Sequence, residues 1–107
     1  MVLYHRTTAE AAKNILAEGF RDRIGYYLTG EPWSGVWVSN IPLDANEGAK
    51  GDTLLKLISR MSADDIAGYE WIEKGKGYRE WLVPAELLNT RCKVKLAQDP
   101  FVPSLPG

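Results

Sequence analysis

The sequence predicts an α+β domain of about five or six short strands with one main N-terminal helix. A β-favouring start runs straight into a capped helical segment, and the later apolar segments are short and bounded by glycine or proline. No stretch repeats another, which argues against a solenoid or propeller. At 107 residues the chain has the ordinary size of one domain, so residues 1–107 are read as a single core with a proline-rich tail from about residue 99.

Val2 to Arg6 reads as the first strand, ending near His5. Thr7 or Thr8 has the chemistry of an N-cap, and Ala9 to Glu18 is strongly helix-forming, with Glu10 in its first turn. Ala12, Ile15, Leu16 and Phe20 are spaced as a buried stripe, and Gly19 is placed to stop the helix. Arg21 to Ser34 is irregular and reads as a loop. Its aromatic residues Tyr26, Tyr27 and Trp33 either contact a ligand or pin the loop to the core. Gly35 to Asn40 reads as a short strand that Pro42 stops, and Leu43 to Lys50 suits a turn of helix. Thr53 to Met61 fits a buried strand or a short helix. Gly51 before it, and the separate helix start at Ser62-Ala63-Asp64-Asp65, favour the strand. Gly75-Lys76-Gly77 makes a hairpin turn, Tyr78 to Pro84 resumes β character, and Cys92 to Leu96 is a last alternating strand.

Composition narrows the function classes. The 13 basic and 14 acidic residues leave a net charge of −1 with no long like-charged run, so the broad basic surface of a non-specific nucleic-acid binder is missing. Cys92 is the only cysteine, which rules out an internal disulfide and a cysteine-based zinc site, and it reads as a small apolar strand residue. The start lacks the charged and apolar regions of a signal peptide, and no apolar stretch approaches the ~20 residues of a membrane span. A cytoplasmic protein without a membrane partner is expected.

Two polar residues stand where solvation does not explain them. His5, the only histidine, closes an apolar strand, and Glu80 lies within a strand between Arg79 and Trp81, where carboxylates are depleted. Judged separately, His5 reads as a hydrogen-bonded structural residue and Glu80 as an edge-strand charge. One histidine cannot build a zinc-hydrolase site, and no nucleophile elbow, Walker loop or dinucleotide-binding glycine turn occurs.

Three segments nevertheless match one family in order. Leu3-Tyr4-His5-Arg6-Thr7-Thr8, with a helix closing in Glu18-Gly19-Phe20, resembles the opening of ADP-ribosyltransferases of the His-Tyr-Glu type, the type of poly(ADP-ribose) polymerases and diphtheria toxin. Gly35-Val36-Trp37-Val38-Ser39 looks like their Gly-x-Tyr-x-Ser/Ala strand. Tyr78-Arg79-Glu80-Trp81-Leu82-Val83 is similar to the strand that delivers their catalytic glutamate, and Pro84 to Leu88 with Val94 and Leu96 continues the likeness.

The resemblance implies a split antiparallel β-sandwich of the ADP-ribosyltransferase type, a minimal single domain that binds NAD as a substrate in the cleft between its sheets and needs no metal. Glu80 would be catalytic. His5, Arg6, Thr7, Tyr27, Trp37, Ser39 and Tyr78 would bind NAD, with His5 on the nicotinamide-side ribose and Trp37 stacked on the nicotinamide. A carboxylate suits this chemistry, because breaking the nicotinamide–ribose bond creates a sugar cation that a nearby negative charge stabilises. Arg6 stands where the family has glycine, Trp37 replaces tyrosine, and Tyr78 replaces the first glutamate of arginine-modifying toxins, which argues against an arginine acceptor. The expected activity is ADP-ribosyl transfer or NAD glycohydrolysis with release of nicotinamide. The alternatives are RNA 2′-phosphotransfer on the same scaffold and a non-catalytic NAD or ADP-ribose binder.

Overall fold

The computed structural model describes residues 1–25, 32–43 and 51–101. β1 (Val2–Thr7) and α1 (Ala9–Glu18) form as the sequence predicts, the strand running to Thr7. Thr8 is the N-cap: its backbone is extended and its hydroxyl accepts from Ala11 N at 3.1 Å, satisfying one of the spare donors of the first turn. Gly19 ends the helix at φ +90°, and a Cβ there would lie 2.9 Å from Asn89 Oδ1, so conformation and space both demand glycine. Asn89 uses this closeness. Its Oδ1 accepts from Phe20 N at 2.8 Å and its Nδ2 donates to Phe20 O at 3.0 Å. Two residues on, Asp22 Oδ1 accepts from Ala85 N at 2.7 Å, so the turn after α1 is clasped twice to α2 (Ala85–Arg91).

The span read as a loop, Arg21 to Ser34, instead contains β2 (Arg23–Gly25) and the start of β3 (Trp33–Ser39). β2 has no apolar alternation, and all three of its residues are exposed; it is a strand because the edge of β3 supplies its pairing. β4 (Thr53–Ser59) is the strand rather than the short helix, and a 3-10 helix over Asp64–Tyr69 follows the predicted start. β5 (Glu70–Trp71), β6 (Glu80–Val83) and β7 (Cys92–Leu96) complete the chain, with β6 beginning at Glu80 rather than Tyr78. The helical turn expected up to Lys50 falls largely on residues 44–50, outside the described ones.

The result is an α+β domain with a seven-stranded antiparallel sheet in the order β5-β6-β3-β1-β4-β7, β2 pairing separately with β3. β1 and β4 pair over six residues, which places Leu3 and His5 on the same face as Leu57 and Leu55. That face carries the core. Leu3, Leu55, Leu57, Trp81, Val83 and Leu88 are all 0% exposed, each fully buried aliphatic side chain worth about 1.5–3 kcal/mol relative to water. α1 contributes Ala12 and leaves Leu16 44% exposed, so the helix packs along a narrower line than the predicted stripe. Cys92 is half-buried beside Ser59, and burial pushes its thiol up, as expected of a packing residue. Among the described residues no helix is long and apolar enough to cross a membrane.

Candidate functional site

The site begins with a parting of strands. β1 meets β3 at one pair, Tyr4 with Ser39, while β2 takes the same edge of β3 further along, from Arg23 opposite Gly35 to Gly25 opposite Trp33. In an antiparallel ladder alternate residues turn their N–H and C=O to the same edge, so Trp37, between Ser39 and Gly35, points its carbonyl into the gap between β1 and β2. His5 fills this gap: its Nδ1 lies 2.7 Å from Trp37 O.

This contact defines the imidazole. A carbonyl only accepts, so Nδ1 carries the proton and donates. Burial pushes the His5 pKa below the ordinary 6.5, the hydrogen bond to Trp37 opposes that shift, and the positive charge of Arg23 adds to it. The ring is therefore neutral at pH 7, and Nε2 is left as an acceptor. Phe20 meets the ring edge-on at 5.5 Å between centroids and 84° between planes, which fixes its orientation.

Beside His5 a cavity of about 310 Å³ opens between α1 and the gap, bounded by Thr7, Asn14, Ile15, Phe20, Arg23 and Trp37. Arg6, Arg21, Lys76 and Arg79 all have carboxylate partners. Arg23 has none among the described residues, so the cavity mouth keeps an available cation.

The second part of the site lies across β3. Ser39 pairs with Glu80 and Trp71 pairs with Glu80, placing these three residues, with Tyr4 and Trp37, on the face opposite the core. The Trp71 ring stands edge-on to Trp37 at 5.6 Å and to Trp33 at 5.0 Å, an aromatic wall next to the carboxylate. Ser39 is buried and its hydroxyl donates to Ile41 O at 2.6 Å, which turns the strand end. Glu80 Oε1 accepts from Lys76 Nζ at 2.6 Å, with 19% and 9% of the two side chains exposed, and the ammonium lies 5.2 Å from the Tyr78 ring. Arg79 turns to the other face, held by both oxygens of Glu70 at 2.9 and 2.7 Å and lying 5.0 Å over the Trp81 ring.

The predicted site residues thus form two groups joined through Trp37. His5 and Thr7 line the cavity, Ser39, Tyr78 and Glu80 lie across the strand, and Trp37 gives its carbonyl to the first group and its ring to the second. No described contact joins His5 to Glu80. Arg6 belongs to neither group: its guanidinium bonds both oxygens of Asp99 at 2.6 and 2.8 Å, donates to Leu43 O, and lies 5.7 Å from the Phe101 ring. Its side chain, only 5% exposed, is thus used to hold the segment after β7. Tyr27 lies outside the described residues.

Sequence reasoning placed Arg23 only among the basic residues near the motifs, and it missed Lys76 and Trp71. Lys76 was readable as a basic residue four positions before Glu80 in a glycine turn, whereas Arg23 and Trp71 reach the site only through the pairing of β2 and β5. Among the described residues no three His, Cys, Asp or Glu side chains gather as a metal-holding group. Comparison of the chain with family models, with curated proteins and with solved structures returned no match.

Proposed function

We propose that the chain is an NAD-consuming ADP-ribosyl transferase, or an NAD glycohydrolase, with Glu80 as the catalytic carboxylate and the parted sheet as a split β-sandwich of the ADP-ribosyltransferase type. The observation that carries this reading is the parting at β1 and β3, closed by the His5–Trp37 contact, with a cavity on one side and a carboxylate beside an aromatic wall on the other. An extended ligand with an anionic middle and a flat, positively charged end suits these parts.

The charge of Arg23, which has no carboxylate partner among the described residues, favours a diphosphate at the cavity mouth. His5 Nε2, obliged to accept, suits a hydroxyl donor on the part of NAD held in the cavity, and the Trp37 ring, across the strand beside Glu80, offers a plane for the nicotinamide. Glu80 then opposes the positive charge that grows on the ribose as the bond to nicotinamide breaks, in a partly buried site where the attraction is weakly screened. RNA 2′-phosphotransfer is less well served. Of the four arginines near the motifs, Arg6 and Arg79 are each held by both oxygens of a carboxylate, which leaves Arg23 and the exposed Arg21 for a transferred phosphate.

Nicotinamide release from NAD by the purified chain tests the reading. Glu80→Gln keeps the shape and removes the charge, and the rate should fall about a hundredfold or more. Equal release from both proteins would remove Glu80 from the chemistry. Binding of NAD without any turnover would leave a binding module.

A further inference from the structure

We propose that the free edge of β7 takes an extended acidic segment of another protein as an added strand, its carboxylates on one face and its apolar side chains on the other. Such binding is independent of the NAD chemistry. β7 ends the sheet and pairs with β4 alone. Ala97 N donates to Leu54 O and Arg60 N donates to Arg91 O, both at 2.9 Å, so the odd-numbered residues from 91 to 97 turn their main-chain groups towards β4. The even-numbered ones then turn outward. Val94 and Leu96 hold their N–H and C=O groups at an edge that no described strand occupies.

The side chains along this edge are sorted by character. Lys93 and Lys95, both exposed, lie on the face opposite the core, and Lys56 of β4 stands directly across from Lys95. Paired residues have Cβ atoms about 5 Å apart, and Lys93 lies about 7 Å along the strand from Lys95. None of the three ammonium groups has a carboxylate partner among the described residues. Like charges placed opposite each other destabilise a sheet, and an anion set beside them relieves the repulsion. On the core face the edge is apolar, with Val94 half-buried and Leu96 60% exposed.

Edge lysines can serve simply to keep other strands away. Two observations go further here. Lys56 is not on the edge, and an exposed leucine in the edge strand invites a neighbour rather than repels one. A second copy of this chain is refused, because two β7 edges brought together antiparallel set Lys93 and Lys95 of one against those of the other. A strand that alternates acidic and apolar residues is accepted. Its main chain bonds Val94 and Leu96, its carboxylates meet the lysines, and its apolar side chains cover Leu96. Single-stranded nucleic acid is less suited, since its phosphates would meet the lysines and leave the main-chain edge unpaired.

The test titrates the full chain, by fluorescence anisotropy at low salt, with a labelled peptide of alternating glutamate and valine. The comparisons are a block peptide of the same composition, an alternating lysine–valine peptide and oligothymidylate. The alternating acidic peptide should bind at least about tenfold more tightly than any of these. In hydrogen exchange read by NMR, the Val94 and Leu96 amides should become protected, while those of Lys93 and Lys95, already bonded to β4, should not change. Lys93→Glu combined with Lys95→Glu, both on the surface, should weaken the acidic peptide about tenfold or more and let the lysine–valine peptide bind in its place. Leu96→Pro removes an N–H that faces outward, so it should keep the β4 ladder and abolish the binding. Equal binding of the block peptide, tighter binding of oligothymidylate, no new protection at Val94 and Leu96, or no saturable binding of the alternating acidic peptide would each overturn the proposal.

Discussion

Replacing Asp99 by asparagine removes the charge that faces Arg6 and leaves at most one of the two hydrogen bonds, from the guanidinium to a neutral amide oxygen. The pair is well enclosed, with 5% and 11% of its side chains exposed. Removing one partner from a fully buried pair costs about 3–5 kcal/mol; here the guanidinium keeps Leu43 O as an acceptor and asparagine keeps one side-chain oxygen, so about 2 kcal/mol is expected. For a domain of this size that lowers Tm by about 8 °C. Thermal and urea unfolding at pH 7 and low salt measure it. Arg6→Met combined with Asp99→Leu removes both charges together and should recover most of the loss. A Tm change below about 2 °C for the single variant, or a double variant no better than the single, would refute the reasoning. The acid limb gives a second check. The Arg6 guanidinium holds the Asp99 carboxyl below its ordinary 3.8, so the pair's contribution is complete above 3.8 and disappears as pH falls through the lower folded value. Asp99→Asn should flatten that part of the stability curve.

His5 gives one imidazole signal in nitrogen-correlated NMR, because it is the only histidine. It should show the neutral Nδ1–H form at pH 7 and titrate below 6.5. Since the unfolded chain takes up a proton that the folded one resists, stability should fall as pH drops below 6.5 by up to about 1.4 kcal/mol per unit, and a protonated ring at pH 7 would contradict this. Arg23→Ala should raise the His5 pKa, because a neighbouring positive charge is removed; a lower value would exclude that charge as a cause. Gly51→Ala should cost about 3 kcal/mol or more, because its φ is +107° and a Cβ would sit 2.2 Å from the Thr7 carbonyl, a loss that denaturant unfolding reads directly. Leu55→Ala, at the fully buried centre of β4, should cost about 2–5 kcal/mol in the same measurement.

What was legible in the sequence was mostly local. Thr8 and Gly19 announce the limits of α1 through their own chemistry, and the leucines of β4 show burial on both faces. β2 and β5 were not legible. Three exposed residues and two half-buried ones carry no periodicity, and each becomes a strand only when β3 or β6 offers an edge. α2 was hidden behind Pro84, which reads as the stop of a strand yet also precedes the helix. Within the site, Trp37 and Glu80 were visible because their strands are. The pairing of the Arg6 side chain was not legible, because it depends on Asp99, far along the chain, which no local pattern reports.

The clasp between Asn89 and Phe20 has an evolutionary consequence. Asn89 both donates to and accepts from one backbone unit, so an aspartate loses the donor and a leucine loses both. Its partner is main chain, which no second-site side-chain change can alter to compensate. In a saturation library selected for ligand binding, position 89, on a helix that does not line the cavity, should therefore tolerate as few replacements as the cavity wall it holds in place, and insertions between residues 19 and 22 should be purged with it.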